Sequence, residues 1–370
     1  MVESRESRKK SRKKSRQKKV AVVPGEGAAA EAIEAVVALL ETMALDLDWV
    51  FPTVGEAARG QGLPAFPDAA RDEIDAADAT LFGATSGPSA PVLVYLRWGK
   101  QTYANVRPTR WVPGFRSALA APEGIDFVIV RENLEDAYLF LEGDLADLAP
   151  LDLRSPTLGA KPHELGEGRY ALKAITRQGS ERVIRFAFDL AARRKREGHS
   201  GRITLAAKWN MLPQTDGLFR ATGERIAAEH PEIGFETLLV DDFAHRLVLR
   251  PQSFDVVVLP NLYGDILSDA AAGLAGGLGL APSGCYGDAY AYFESAHGTA
   301  PDIAGQGIVN PTATLLSAAM MLDYLGRSDA AAALRRAIDA VYAEGRQLPP
   351  DQGGQTGTRA FCDAVRGALL

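Results

Sequence analysis

Phe254-Asp-Val-Val-Val-Leu-Pro260-Asn-Leu-Tyr-Gly-Asp265-Ile-Leu-Ser-Asp269 decides how the rest of the chain is read. A short valine- and leucine-rich run stopped by proline suits a fully buried strand. The residues after it carry carboxylates four apart, which on a helix share one face. A buried strand feeding an acid-bearing helix is the repeating step of an α/β sheet, and ligands of such sheets bind outside the carboxyl ends of the strands. The same step recurs elsewhere. Residues 125–130 (IDFVIV) run into Arg131, Glu132 and Tyr138, residues 203–207 (ITLAA) into Lys208, and residues 235–240 (FETLLV) into Asp241 and Asp242. Residues 79–84 (ATLFGA) form a further apolar run. Helical segments lie between these runs, at 180–194 with Ser180 as N-cap, at 310–325 and at 330–343. The alternation predicts a mostly parallel sheet covered by helices on both faces.

Composition sets outer bounds. The 370 residues are 46% hydrophobic and 24% charged, enough for about two domains with a large core. No apolar run approaches the ~18–20 residues of a membrane span, and no secretory signal is recognisable. Two cysteines, Cys285 and Cys362, make no disulfide scaffold, and the five histidines show no metal-ligand spacing. We expect a cytoplasmic α/β protein with no membrane partner. The net charge of −6 is uneven: residues 1–19 hold ten Lys/Arg against two Glu, leaving −14 on the remainder. That tail has no apolar residue after Val2, so disorder is expected. It is read as a solvated extension in preference to a tether for nucleic acid or anionic lipid.

Gly25-Glu-Gly27-Ala-Ala-Ala30 lies between an apolar run and a helical segment, with Asp46 and Asp48 about twenty residues on. This is the outline of a dinucleotide-binding fingerprint, although any strand-to-helix turn that needs glycine would look the same. Asp265 and Asp269, joined by Asp241 from a neighbouring strand end, would supply hard oxygen ligands for Mg²⁺ or Mn²⁺. The alternative is a set of acids favouring a helix N-terminus. Arg97 and Arg107 flank a short polar stretch, and Arg131 could make a third guanidinium for a polyanionic substrate, although surface ion pairs are the usual fate of arginines. Residues 294–311 form a loop of small residues before a helix, which permits close backbone approach to a nucleotide; His297 could meet its base.

Six stretches together resemble one family, the β-decarboxylating dehydrogenases of the isocitrate/isopropylmalate group. They are LR…YANVRP (96–108), VRENLEDAY (130–138), ITRQGSERVIRFAF (175–188), KWNMLPQTDGLF (208–219), NLYGDILSD (261–269) and HGTAPDIAGQGIVNP (297–311). The resemblance implies a two-domain mixed sheet that is not a Rossmann fold, with the site in the cleft between domains. Residues 20–102 and 276–370 would form the large, cofactor-binding domain. Residues 103–275 would form the smaller domain for substrate, metal and dimerisation, with an intersubunit arm at about 139–175 and hence a homodimer. The Gly25–Ala30 turn loses its fingerprint role, and its GEGAAAE reading departs from the family's G-D-G-I-G-P-E.

The resemblance also implies roles. Arg97, Arg107 and Arg131 would grip the malate carboxylates. Asp241, Asp265 and Asp269 would hold the metal, one or more of them from the partner subunit. Lys208, assisted by Asp241, would accept the hydroxyl proton, and Tyr138 would protonate C3 after CO₂ leaves. His297, Gly298, Thr299, Ala300, Asp302 and Asn310 are the candidate cofactor contacts. Asp302 would bond the adenosine ribose and repel a 2′-phosphate, which favours NAD over NADP. Pro91, Leu93 and Val94 offer apolar surface to the C3 substituent. The expected reaction is therefore oxidative decarboxylation of a 3-isopropylmalate-like substrate, with isocitrate, homoisocitrate, tartrate or D-malate as alternatives. A non-catalytic regulatory subunit is the alternative of another class.

Overall fold

The structure, a computed structural model, describes residues 17–369. Twelve strands run in chain order: β1 (Lys18–Val23), β2 (Leu47–Val50), β3 (Ala79–Phe82), β4 (Ala104–Arg110), β5 (Asp126–Glu132), β6 (Glu142–Asp144), β7 (Arg169–Ala171), β8 (Arg202–Ala207), β9 (Gly234–Leu239), β10 (Val256–Leu259), β11 (Pro282–Tyr286) and β12 (Ala291–Ser295). Ten of them make one sheet in the order β2-β1-β3-β12-β11-β4-β5-β10-β8-β9. Its two flanks are parallel, while β11 pairs antiparallel with both β12 and β4, and β4 antiparallel with β5. The mixed sheet agrees with the sequence reading. The remaining pair, β6 and β7, forms a separate antiparallel ribbon inside the 139–175 excursion.

Strand alternation sorts the side chains onto two faces. Val128, Val256, Val258, Ile203 and Leu205 pack on one face, partly beneath the Arg177–Arg196 helix. Phe127, Ile129, Val257 and Leu259 pack on the other, under the Val240–Leu249 and Asn261–Ala275 helices. Arg131 and Arg107 share the parity of the second set, so both guanidinium groups are buried toward the Asn261–Ala275 helix. On the β1–β3 flank, the Ala28–Glu41, Thr312–Tyr324, Ser328–Glu344 and Thr358–Leu369 helices enclose the largest core cluster.

Two local expectations are corrected. Lys18 and Lys19 belong to β1 and not to the tail: Lys18 Nζ and the Lys19 N–H both bond the Asp78 carboxylate at 2.9 Å. Residues 1–16 of the tail lie outside the described residues. Ser180 is not an N-cap. The helix begins one turn earlier at Arg177, capped by Thr176, whose side chain accepts from Gly179 N at 2.9 Å. Ser180 Oγ instead donates to Thr176 O at 2.7 Å.

Candidate active site

The carboxyl ends of β5, β10, β8 and β9 lie along one sheet edge, and the expected polar residues are arranged there in two groups. In the first, Asp265 stands one turn into the Asn261–Ala275 helix and meets Arg131 and the hydroxyl of Tyr138 in short hydrogen bonds. Arg107 Nη2 is 3.3 Å from the same carboxylate, and Arg107 Nη1 is 3.0 Å from Asp269, one turn on. Arg131, 1% exposed, spends two further donors on Asn261 Oδ1, at 2.9 and 2.8 Å. Arg107 is held in turn by Asn105 at 3.1 Å and Ser268 at 2.7 Å. Gly264 is required for this approach: a Cβ there would sit 2.7 Å from the Arg131 side chain.

The charges tune one another. Burial pushes the Asp265 carboxyl up, but Arg131, the Tyr138 hydrogen bond and Arg107 outweigh it and pull it below the usual carboxylate range. Asp269 stays raised, because burial and the Asp265 charge outweigh Arg107. Burial and neighbouring Arg107 lower Arg131 to about 10, so it keeps its charge at neutral pH. Tyr138 is raised by burial and by donating to Asp265, which keeps its phenol protonated.

Arg97 approaches from a π-helical turn, Tyr95–Gly99, closed by a Lys100 N to Tyr95 O bond of 2.9 Å. Such single turns are frequent at functional sites. Its Nε is buried without a hydrogen-bond partner. Just before it, Leu93 packs against the core beside Val92 and Leu96, while Val94 is half exposed and Pro91 exposed.

The second group is Lys208 and Asp241, paired at 2.6 Å. Its environment is open, and the lysine hydrogen bond holds the Asp241 carboxyl low. Among the described residues of one chain, no three carboxylate, histidine or cysteine side chains gather into a metal-binding cluster. The structure thus brings Asp265 to Asp269 but does not bring Asp241 to them within a single subunit.

The loop after β12 borders the Gly25–Ala30 turn. The N–H of Ala28 donates to Thr299 O at 2.9 Å, and a Cβ on Gly27 (φ +61°) would lie 2.5 Å from that oxygen. The turn therefore packs on the loop, and its first helical donor is already spent. Glu31 accepts from the N–H groups of Gly305 and Gly307, so the divergent GEGAAAE segment still secures the loop. His297 Nε2 is buried and unpartnered, Gly298 and Asp302 are exposed, and Ala300 adopts φ +44°. Asn310 is turned inward, donating to Asp351 at 3.1 Å and to Tyr342 at 3.2 Å.

Several contributors were not singled out from sequence. Asn261 orients Arg131, and Glu294 is a buried carboxylate facing Arg97, Arg107 and Arg131, which oppose the upward push of burial on its proton. Lys173 makes two ion pairs at the base of the arm. Proximity to Arg131 for Asn261, and to Arg97 for Glu294, arises only from the fold.

Comparison with known proteins identifies the family. Residues 19–365 match the family described as isocitrate/isopropylmalate dehydrogenase. An isocitrate/homoisocitrate dehydrogenase of Thermus thermophilus is 42% identical over 95% of this chain and 98% of its own length. A 3-isopropylmalate/3-methylmalate dehydrogenase of Methanocaldococcus jannaschii is 40% identical over 94% and 97%. The crystal structure of isocitrate dehydrogenase from Methylococcus capsulatus superposes with a TM-score of 0.83 at 36% identity, covering 95% of this chain and 99% of that one. The chain belongs to the isocitrate/isopropylmalate dehydrogenase family of decarboxylating hydroxy-acid dehydrogenases.

Proposed function

We propose that the chain catalyses NAD- and divalent-metal-dependent oxidative decarboxylation of a 3-substituted (R)-malate, with an alkyl substituent as in 3-isopropylmalate. The observation that carries this reading is the convergence of Arg107, Arg131 and Tyr138 on Asp265 at the sheet edge. Asp265 and Asp269 present hard oxygens beside guanidinium groups, which fits Mg²⁺ or Mn²⁺ together with a dicarboxylate. Asp241 of a second copy would complete the set, since one chain does not assemble all three. When bound, the cation supplies Lewis acidity at the C2 oxygen. A nicotinamide held by the loop after β12 would supply the hydride acceptor.

The chain's own groups do the rest. Arg97, Arg107 and Arg131 orient the carboxylates. Lys208, steered by Asp241, accepts the hydroxyl proton, and Tyr138, protonated at neutral pH, delivers a proton to C3. His297, Gly298, Thr299, Ala300, Asp302 and Asn310 would line the nucleotide, with exposed Asp302 disfavouring a 2′-phosphate. Leu93 and Val94 favour an alkyl group, because a carboxylate set unpaired against them is costly.

This reading divides the sheet into a large domain, 20–102 with 276–370, and a smaller one, 103–275. A homodimer is supported by apolar side chains left in the open: Phe140, Leu141, Leu158 and Leu172 on the arm, and Ile266 and Leu249 on the helices. No helix among the described residues is long and apolar enough to cross a membrane. The free, buried thiols of Cys285 and Cys362 suit a reducing, cytoplasmic setting.

The test is NADH absorbance with purified protein, Mn²⁺ and NAD or NADP, against isopropylmalate, isocitrate, homoisocitrate, tartrate and D-malate. Isopropylmalate with NAD should be preferred. Preference for isocitrate or homoisocitrate, the second reading favoured by the Thermus relative, would show that Leu93 and Val94 do not select the substituent. Silence across the panel would overturn the catalytic assignment.

A further inference from the structure

We infer that Lys173 is a positioning residue that ties the turn carrying Tyr138 to the turn carrying Lys208 within one chain and fastens both to the arm. The inference rests on the roles proposed for Tyr138 and Lys208. Lys173 follows β7, at the point where the arm rejoins the body. Leu172 N donates to Leu141 O at 2.9 Å, and Asp136 N donates to Ala174 O at 2.9 Å. Its ammonium lies 2.8 Å from Asp216 Oδ1, 3.3 Å from Asp136 Oδ1 and 4.3 Å from the centre of the Tyr263 ring. Both carboxylates are fully buried.

Each of these carboxylates fixes backbone beside a catalytic position. Asp136 accepts from Ala137 N at 2.9 Å, immediately before Tyr138, and from Leu262 N at 3.0 Å, in the first turn of the helix that carries Asp265. It does so at φ +71°, a conformation that a non-glycine residue keeps only when its surroundings enforce it. Asp216 accepts from Lys208 N at 2.7 Å. One cation therefore bridges the Tyr138 turn, the Lys208 turn and the start of the metal-ligand helix. Without it, two buried like charges repel, and the segments they hold separate. A displacement of ~1 Å at reacting groups costs on the order of 10²-fold in rate.

The experiment compares Lys173→Met, Lys173→Arg and Asp216→Asn with Lys208→Ala and Tyr138→Phe in the full chain. The substrate is whichever panel member turns over, unlabelled and deuterated at C2. Lys173→Met should lower kcat per folded chain by roughly 30–100-fold, leave the substrate KM within about 3-fold, and raise the isotope effect on kcat as chemistry becomes limiting. Lys173→Arg should recover most of kcat, because a guanidinium can span both carboxylates. Asp216→Asn keeps an acceptor for Lys208 N and serves if Lys173→Met does not fold; it should show a smaller change of the same kind. If kcat per folded chain and the isotope effect stay at wild-type values in Lys173→Met, or in Asp216→Asn where the first is unfolded, Lys173 is only a structural cation and the inference is overturned. Wild-type turnover in Lys208→Ala and Tyr138→Phe would instead remove the roles on which it rests.

Discussion

Two groups of charge share one sheet edge and are built in opposite ways. Around Asp265, two guanidinium groups, a phenol and two carboxylates close on one another, and Arg131 is sealed under the Asn261–Ala275 helix. At Lys208 and Asp241, a single ion pair stands apart, its lysine partly and its aspartate largely exposed. The first group is preorganised, because its partners desolvate and restrain it before any ligand arrives. The second is a lone, more exposed pair, which the proposed function has completed by a second copy. Loss of a residue should therefore cost stability in the first group and activity in the second.

That contrast can be broken experimentally, and the largest effect is expected at the sealed group. Arg131→Met leaves Asp265 and Asn261 without their main partner in a buried setting. It should cost about 3–5 kcal/mol of stability, read from the urea midpoint, and should abolish substrate binding. A midpoint at the wild-type value would show that the closed group is ornamental to the fold. Lys208→Ala should do the reverse, with kcat lower by about 10²–10⁴-fold and Tm where it was, since an exposed pair is screened by water. A large loss of Tm would mean that the open pair is structural.

The smallest effect sharpens the contrast by pH. Glu132, beside Arg131 but on the opposite face, is buried and is pushed up to about 7 by burial, against the pull of the Glu135 and Leu134 N–H groups and of Arg182. Its folded pKa lies above its ordinary value of 4.5, so the folded chain holds this proton more tightly than the unfolded chain. Its contribution is complete below about pH 4.5 and is lost as pH rises through about 7. Glu132→Gln should make the fall of stability across that window shallower. An unchanged slope in denaturation curves would assign it to another group.

Much of this was readable from the chain. The strands of 79–82, 126–132, 202–207, 234–239 and 256–259 follow from short β-branched runs, and the shared face of Asp265 and Asp269 follows from helical spacing. What could not be read depends on distant partners. Lys18 and Lys19 look like the end of a basic tail until Asp78, sixty residues on, accepts them. Ser180 resembles a cap until Thr176 is seen held by Glu135. Gly25–Ala30 fits a nucleotide fingerprint because the carbonyl of Thr299, which occupies the turn, leaves no trace in the local sequence. Lys173 sits in an aperiodic excursion, and only the fold reveals the two acids it joins.

The placement of β12 between β3 and β11 also governs the order in which the protein can be made. β3 leaves the ribosome early and pairs with β1 on one side, but its partner on the other side, β12, begins about 200 residues later, and so do the helices that seal the core beneath Ala28–Glu41. At ~5–20 residues per second, that gap is roughly 10–40 s. The 104–275 segment, by contrast, has its own strands and covering helices as soon as it emerges. The 104–275 segment can thus fold first, while the amino-terminal strands wait beside it with an unpaired edge open to wrong pairing.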